Sequence, residues 1–254
     1  MTGLIYKDAV CLKKNLKMFI FVGLSVMAVA IMFAISCRMG NISEGIKNYN
    51  SEDSMTKELL ISVINISMYM ISIIPIAFIA NIIDCFKEDS KAGFHNTVFS
   101  IPLNSREIVG SRYLSMLLYI LVGLCFTLVT QVGISVASDR IQFNDMYPTA
   151  LFFTGIMLMY MSIVIPCVYL CGSKKSEVIC VVPFVIAILA GIVYIVVNED
   201  KMPETEVELA KAGYKFVEFV QDKGFLVFGI SILCIIGSYF TSVMIIKKRR
   251  WHDV

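Results

Sequence analysis

The chain has 254 residues, of which 57% are hydrophobic and only 17% charged, against about 45–50% apolar in soluble domains. With a mass of 28.4 kDa and a mean hydropathy of +0.78, it cannot clothe a soluble fold in a polar shell, so soluble enzyme folds are excluded. The net charge of +2, from 22 Lys and Arg against 20 Asp and Glu, excludes a global field aimed at nucleic acid or an acidic substrate.

In chain order, residues 1–17 (MTGLIYKDAVCLKKNLK) place Leu4, Ile5, Ala9, Leu12 and Leu16 on one side of a helix, with Lys7, Lys13, Lys14 and Lys17 available to lipid phosphates. Six runs without Asp, Glu, Lys, Arg or His then follow: 18–36, 59–83, 113–137, 149–171, 178–197 and 225–246. Each is long enough to cross a bilayer, which takes ~20 apolar residues for ~30 Å of hydrocarbon. The first is expected to remain as a span, because Ser36-Cys37-Arg38 lacks a small-x-small cleavage pattern. With the amino terminus placed inside, 14 of the 22 basic residues and 7 of the 20 acids fall on the inner connections. That asymmetry puts both termini in the cytoplasm. The expected fold class is therefore an all-α integral membrane chain with six transmembrane helices.

The eight cysteines do not read as a disulfide framework, and Cys167 and Cys171, four apart, have no His or carboxylate nearby to complete a metal site. No phosphate-binding loop, HExxH or GxSxG occurs, and His95 and His252 are the only histidines. The chain is accordingly expected not to be an enzyme and to hold no cofactor or metal. The uncharged spans also disfavour a proton- or ion-coupled carrier. Energy for any transport would have to arrive from a partner on the cytoplasmic face.

The longest inner connection, 84–112, is patterned rather than a linker. Phe94, Val98 and Ile101 recur at helical spacing, Pro102 ends that segment, and Asn104 or Ser105 can cap a second helix with Glu107 in its first turn. The outer connection 198–224 carries seven acids and four lysines. Val207, Ala210, Tyr214 and Val217 form a stripe there, with Leu209, Phe216 and Val220 beside it, predicting an amphipathic outer helix. It reads either as a gate or release ledge or as a lipid-seated surface helix. Polar residues concentrate in the second and third spans, with Asn65, Ser72, Thr127, Thr130 and Gln131 as candidates to line a weakly polar path; the competing reading is interhelical hydrogen bonding.

The stretch EDSKAGFHNTVFSIPLNSREIVGSRYL resembles the permease subunits of type-2 ATP-binding-cassette (ABC) exporters. The resemblance rests on Asp89, Gly93, Ile101-Pro102, Ser105-Arg106, Ile108-Val109 and Arg112. One departure is Phe94-His95-Asn96-Thr97, where the family often has Thr or Ser with Glu. The opening with Lys7-Asp8 is similar to the amphipathic elbow helix of such bacterial permeases, and the short permeases of the phenol-soluble modulin exporter type are the members it most resembles. The resemblance implies one permease domain over 1–254 in the bacterial plasma membrane, with 1–17 as elbow and a coupling helix within 84–112. It implies a second permease in a homo- or heterodimer, and a cytoplasmic ABC ATPase subunit that binds ATP and Mg. Contact with that subunit would involve Asp89, Lys91, Gly93, Phe94, His95, Asn96, Val98, Phe99, Pro102, Arg106 and Glu107, the charged members as ion pairs at the rim. The expected substrate is an amphipathic peptide, such as a toxin or antimicrobial peptide, or a lipid-like molecule, with no nucleic acid partner. A different class of protein fits the same residues: a membrane immunity or scaffold protein that binds a bacteriocin-like peptide without transporting it.

Overall fold

The computed structural model describes residues 2–39, 66–67, 69–71, 74, 83–91, 104–137, 142–172, 175–197 and 206–252. These form helices α1 (Thr2–Arg38), α2 (Ile83–Lys91), α3 (Ser105–Ala137), α4 (Phe143–Cys171), α5 (Ser176–Val197) and α6 (Glu206–His252), with no strand among the described residues. Ser105–Ala137, Phe143–Cys171 and, within α6, Lys215–Lys248 are long and apolar enough to cross a membrane. Ile20–Ser36 and Val178–Val193 are shorter apolar stretches. The second apolar run, 59–83, falls largely outside the described residues.

Two helices are longer than the sequence divisions suggest. The opening amphipathic segment and the first apolar run are one helix, α1, because neither proline nor glycine intervenes between Leu4 and Val22. The outer amphipathic segment likewise continues from Glu206 without a break into the last apolar run as α6, which contains no proline. Its Val217 and Val220 are buried, while Phe216 and Phe219 remain exposed. α4 does carry prolines, at 148 and 166, and stops at Gly172, whose φ of +94° few other residues adopt and whose N–H bonds the Val168 carbonyl at 2.9 Å.

Contacts along the helices fix their directions. Ser115 Oγ donates to Asp8 Oδ2 at 3.1 Å, Gly23 packs on Phe126 and Gly133 on Ile31, so α1 and α3 run parallel. α4 and α6 are also parallel: Gly224 abuts Pro148, Gly155 abuts the Phe228 backbone, and Ser238 Oγ donates to the Ser162 carbonyl at 2.6 Å. The two pairs are antiparallel to one another, since Tyr113 of α3 bonds Ser238 and Ser242 late in α6 (2.6 and 3.0 Å) and Gln131 bonds the Met146 carbonyl early in α4. One end of the bundle therefore gathers the starts of α1 and α3 with the ends of α4 and α6. The opposite end gathers the finish of α3, the start of α4 and the Gln221 turn of α6.

The core has two centres. The larger one, at the first end, includes Val109, Met116, Met161, Val164, Ile165 and Val168; the smaller includes Ala34, Tyr69, Ile134, Met146 and Val217. Because lipid is as apolar as these side chains, close approach and hydrogen bonding drive their association more than burial from water. α4 and α6 approach most closely. A Cβ on Gly155 would stand 3.1 Å from the backbone N and Cα of Phe228. Pro148 has no N–H for the Asn144 carbonyl, and in the same turn the Asp145 and Met146 carbonyls accept from Gln221 Nε2 (2.7 Å) and Gln131 Nε2 (3.0 Å). α5 is apolar all round and exposed from Val185 to Val193, touching its neighbours mainly through its first turns, as where Tyr160 donates to the Cys180 carbonyl at 3.0 Å.

Candidate functional site

Four charges from three helices meet at the first end of the bundle. α1 supplies Lys7 and Asp8, α2 supplies Asp89 and α3 supplies Arg112. Asp8, Asp89 and Arg112 are only 2%, 7% and 5% exposed. The Arg112 guanidinium takes Asp89 through Nη2 and stands 3.1 Å from Asp8 Oδ1 through Nη1. Lys7 Nζ closes the ring at 2.6 Å from Asp89 Oδ1 and 3.6 Å from Asp8 Oδ1. Ser115, one turn beyond Arg112, donates to the other Asp8 oxygen.

Local sequence explains the convergence. Phe86 and Asp89 are three apart and share a face of the short helix α2, as Arg112 and Ser115 share a face of α3. The Arg112 guanidinium carbon lies 4.6 Å from the Phe86 ring centroid, and Phe86 packs edge-on against Tyr169 of α4 at 5.7 Å. Arginine suits the place because one planar fork can serve two carboxylates while stacking on a ring. Two cations against two anions leave the buried group neutral, and a neutral paired group avoids the several kcal/mol that each unpaired buried ion costs.

The cluster sits at the base of the patterned connection. α2 ends at Lys91 and α3 begins at Ser105, so Asp89 and Arg112 tie together the two stems from which 92–103 departs. The second stem starts with a reciprocal cap: Asn104 Oδ1 lies 3.5 Å from the Arg106 N–H it receives, and Asn104 N–H donates to Glu107 Oε2 at 3.1 Å.

These positions revise several sequence expectations. Asp89, expected at a rim facing outward, is taken up within the chain because Arg112 and Lys7 both reach it. Lys7 meets carboxylates rather than standing free for lipid phosphates, and Glu107 serves the cap of α3. Arg106 and Lys91 are exposed; Lys91 donates to Glu88 Oε1 at 2.7 Å, which holds that carboxyl below the ordinary carboxylate range. Gly93, Phe94, His95, Asn96, Val98, Phe99 and Pro102 lie outside the described residues. Thr127, Thr130 and Gln131 are fully buried. Thr130 bonds the Phe126 carbonyl of its own helix at 2.8 Å, and Gln131 fastens α3 to α4. Gln131 thus makes an interhelical bond. Asn65 and Ser72 lie outside the described residues.

Sequence reading missed Asp8, Ser115 and Phe86 as members of one cluster. A signal existed in Asp8, a single acid among four lysines in the first 17 residues.

Over residues 56–247 the sequence matches the family described as ABC-2 family transporter protein. The chain belongs to this family. No curated protein and no solved structure matches it. As an ABC-2 transporter protein it is a membrane protein of the permease kind, and the family implies an ABC ATPase as partner. The matched region holds Asp89 and Arg112 with the whole connection between them, whereas Lys7 and Asp8 precede it.

Proposed function

We propose that the chain is the permease subunit of an ATP-driven exporter that moves hydrophobic or amphipathic molecules, with peptides as the leading substrate class. Two such permeases stand side by side in the bacterial plasma membrane, each spanning it six times with both termini in the cytoplasm. A separate cytoplasmic subunit binds ATP and Mg, while this chain carries no catalytic site. The observation that carries the reading is the family match, which runs through residues 92–103 and both stems. Closure of the ATPase pair pushes on 91–101, with Phe94, Val98 and Phe99 seated in a groove of that subunit and exposed Arg106 at its edge.

The gathering of basic side chains at the bundle end bearing Arg106, Arg112, Lys247 and Lys248 supports the cytoplasmic assignment of that end. The uncharged spans suit an amphipathic cargo better than a small ion. The test is purification of the tagged chain in mild detergent, with mass identification of bound proteins. A co-purifying subunit with a phosphate-binding loop is the expected result, and Phe99→Ala or Arg106→Glu should then uncouple its ATP hydrolysis from peptide-dependent stimulation. Isolation of the chain without such a subunit, even after cross-linking, refutes the reading.

A further inference from the structure

The two stems of 92–103 leave the bundle from different helices, and 92–103 is the segment on which the exporter reading places the ATPase contact. Something must set how those stems stand relative to each other. Asp89 and Arg112 join them directly, but a single arginine fork beside a single carboxylate has freedom to swing. Asp8 adds a second ion pair to the same guanidinium. It lies 3.1 Å from the second terminal nitrogen of Arg112 and accepts from Ser115 one turn further along α3, while its neighbour Lys7 reaches Asp89 on the other stem at 2.6 Å. Adjacent residues of α1 thus hold one stem each.

We infer that Asp8, with Lys7, is a positioning residue of the coupling segment: the N-terminal helix clamps both stems and so fixes the presentation of 92–103 to the ATPase subunit. The inference rests on the exporter reading for its partner and on the ion cluster for its geometry. It gives α1 a role that the matched region 56–247, which begins after it, does not contain. It also predicts directionality of charge. Exchanging Asp89 and Arg112 would not restore function, since the new arginine at 89 would face Lys7 and the new aspartate at 112 would face Asp8; exchange of all four charges would.

The experiment compares wild type, Asp8→Asn, Asp8→Glu and Gln221→Ala in lipid nanodiscs. Gln221→Ala disturbs hydrogen bonds at the opposite end of the bundle and controls for general loosening. Two quantities are read: amide exchange at 92–103 in the permease alone, and affinity for the ABC ATPase subunit that co-purifies with wild type. Asp8→Asn should speed exchange at 92–103 and weaken the subunit about tenfold, in the range of residues that act on a contact without touching it. Asp8→Glu, keeping the charge, should recover most of both, and Gln221→Ala should leave both near wild type. Unchanged exchange and affinity in Asp8→Asn, or an equal loss in Gln221→Ala, overturns the role of Asp8. Failure of wild type to bind any ATPase subunit refutes the exporter reading instead, while the exchange measurement still decides whether Asp8 holds the stems.

Discussion

Gly224 offers a test of how α4 and α6 are held together. A methyl group at this position would drive into the Pro148 carbonyl, with the carbonyl carbon at 3.0 Å and the Pro148 Cα at 3.3 Å. Carbon atoms pack comfortably at about 3.5–4.0 Å, so the helices must part by roughly half an ångström or more at that point. The obstruction is backbone rather than the tip of a flexible side chain, so no rotamer change relieves it. Parting there also stretches the Gln221 bond to the Asp145 carbonyl, only one turn away, and lifts Phe228 from Gly155. Overpacking of this kind costs about 1–3 kcal/mol. Gly229 and Gly237 of the same helix have nothing within 4 Å of an added Cβ. Alanine at either should be neutral or stabilising by up to about 1 kcal/mol, the intrinsic helix preference. Thermal unfolding of the three alanine variants in one detergent separates the cases. If Gly224→Ala unfolds no earlier than Gly229→Ala, the close approach at Pro148 is not what joins these helices.

The other expectations concern the buried charges and amides. Arg112→Met leaves two buried carboxylates with Lys7 alone and should cost about 3–5 kcal/mol in chemical or thermal unfolding. The quadruple variant Lys7→Met, Asp8→Asn, Asp89→Asn, Arg112→Met should recover most of that stability, and equal losses in both would contradict a balanced ion cluster. Gln131→Leu keeps the side-chain volume and removes the bond to Met146, so a loss of about 0.6–1 kcal/mol is expected, measured by unfolding midpoint; a loss several times larger would show that the amide does more than fasten α3 to α4.

The membrane character of the chain was legible from composition, because six uncharged runs leave no other environment for them. The cap of α3 was legible too, since Asn104 and Glu107 stand at the spacing a reciprocal cap needs. Helix continuity at residues 17 and 224 was not. Hydropathy changes there while the backbone has no reason to stop, and reading by polarity divides what the hydrogen-bonded chain joins. The ion cluster escaped for another reason: Asp8 and Arg112 are separated by more than a hundred residues, and only the parallel pairing of α1 with α3 brings them together. Thr127, Thr130 and Gln131 carried the same polar pattern a lined path would show, and spacing alone does not say whether such groups face a cavity or a neighbouring helix.

The parallel arrangement of α1 and α3 also has a consequence for synthesis. Being parallel, the two cannot be joined by a tight turn, so the bond between Asp8 and Ser115 waits for a residue made 107 positions later. At about 5–20 residues per second, that interval is roughly 5–20 s. Of the four charges, Lys7 and Asp8 are made first, Asp89 follows, and Arg112 comes last. Enclosing an unpaired carboxylate is costly, so the last charge to be translated is the one that balances the others and lets them be enclosed.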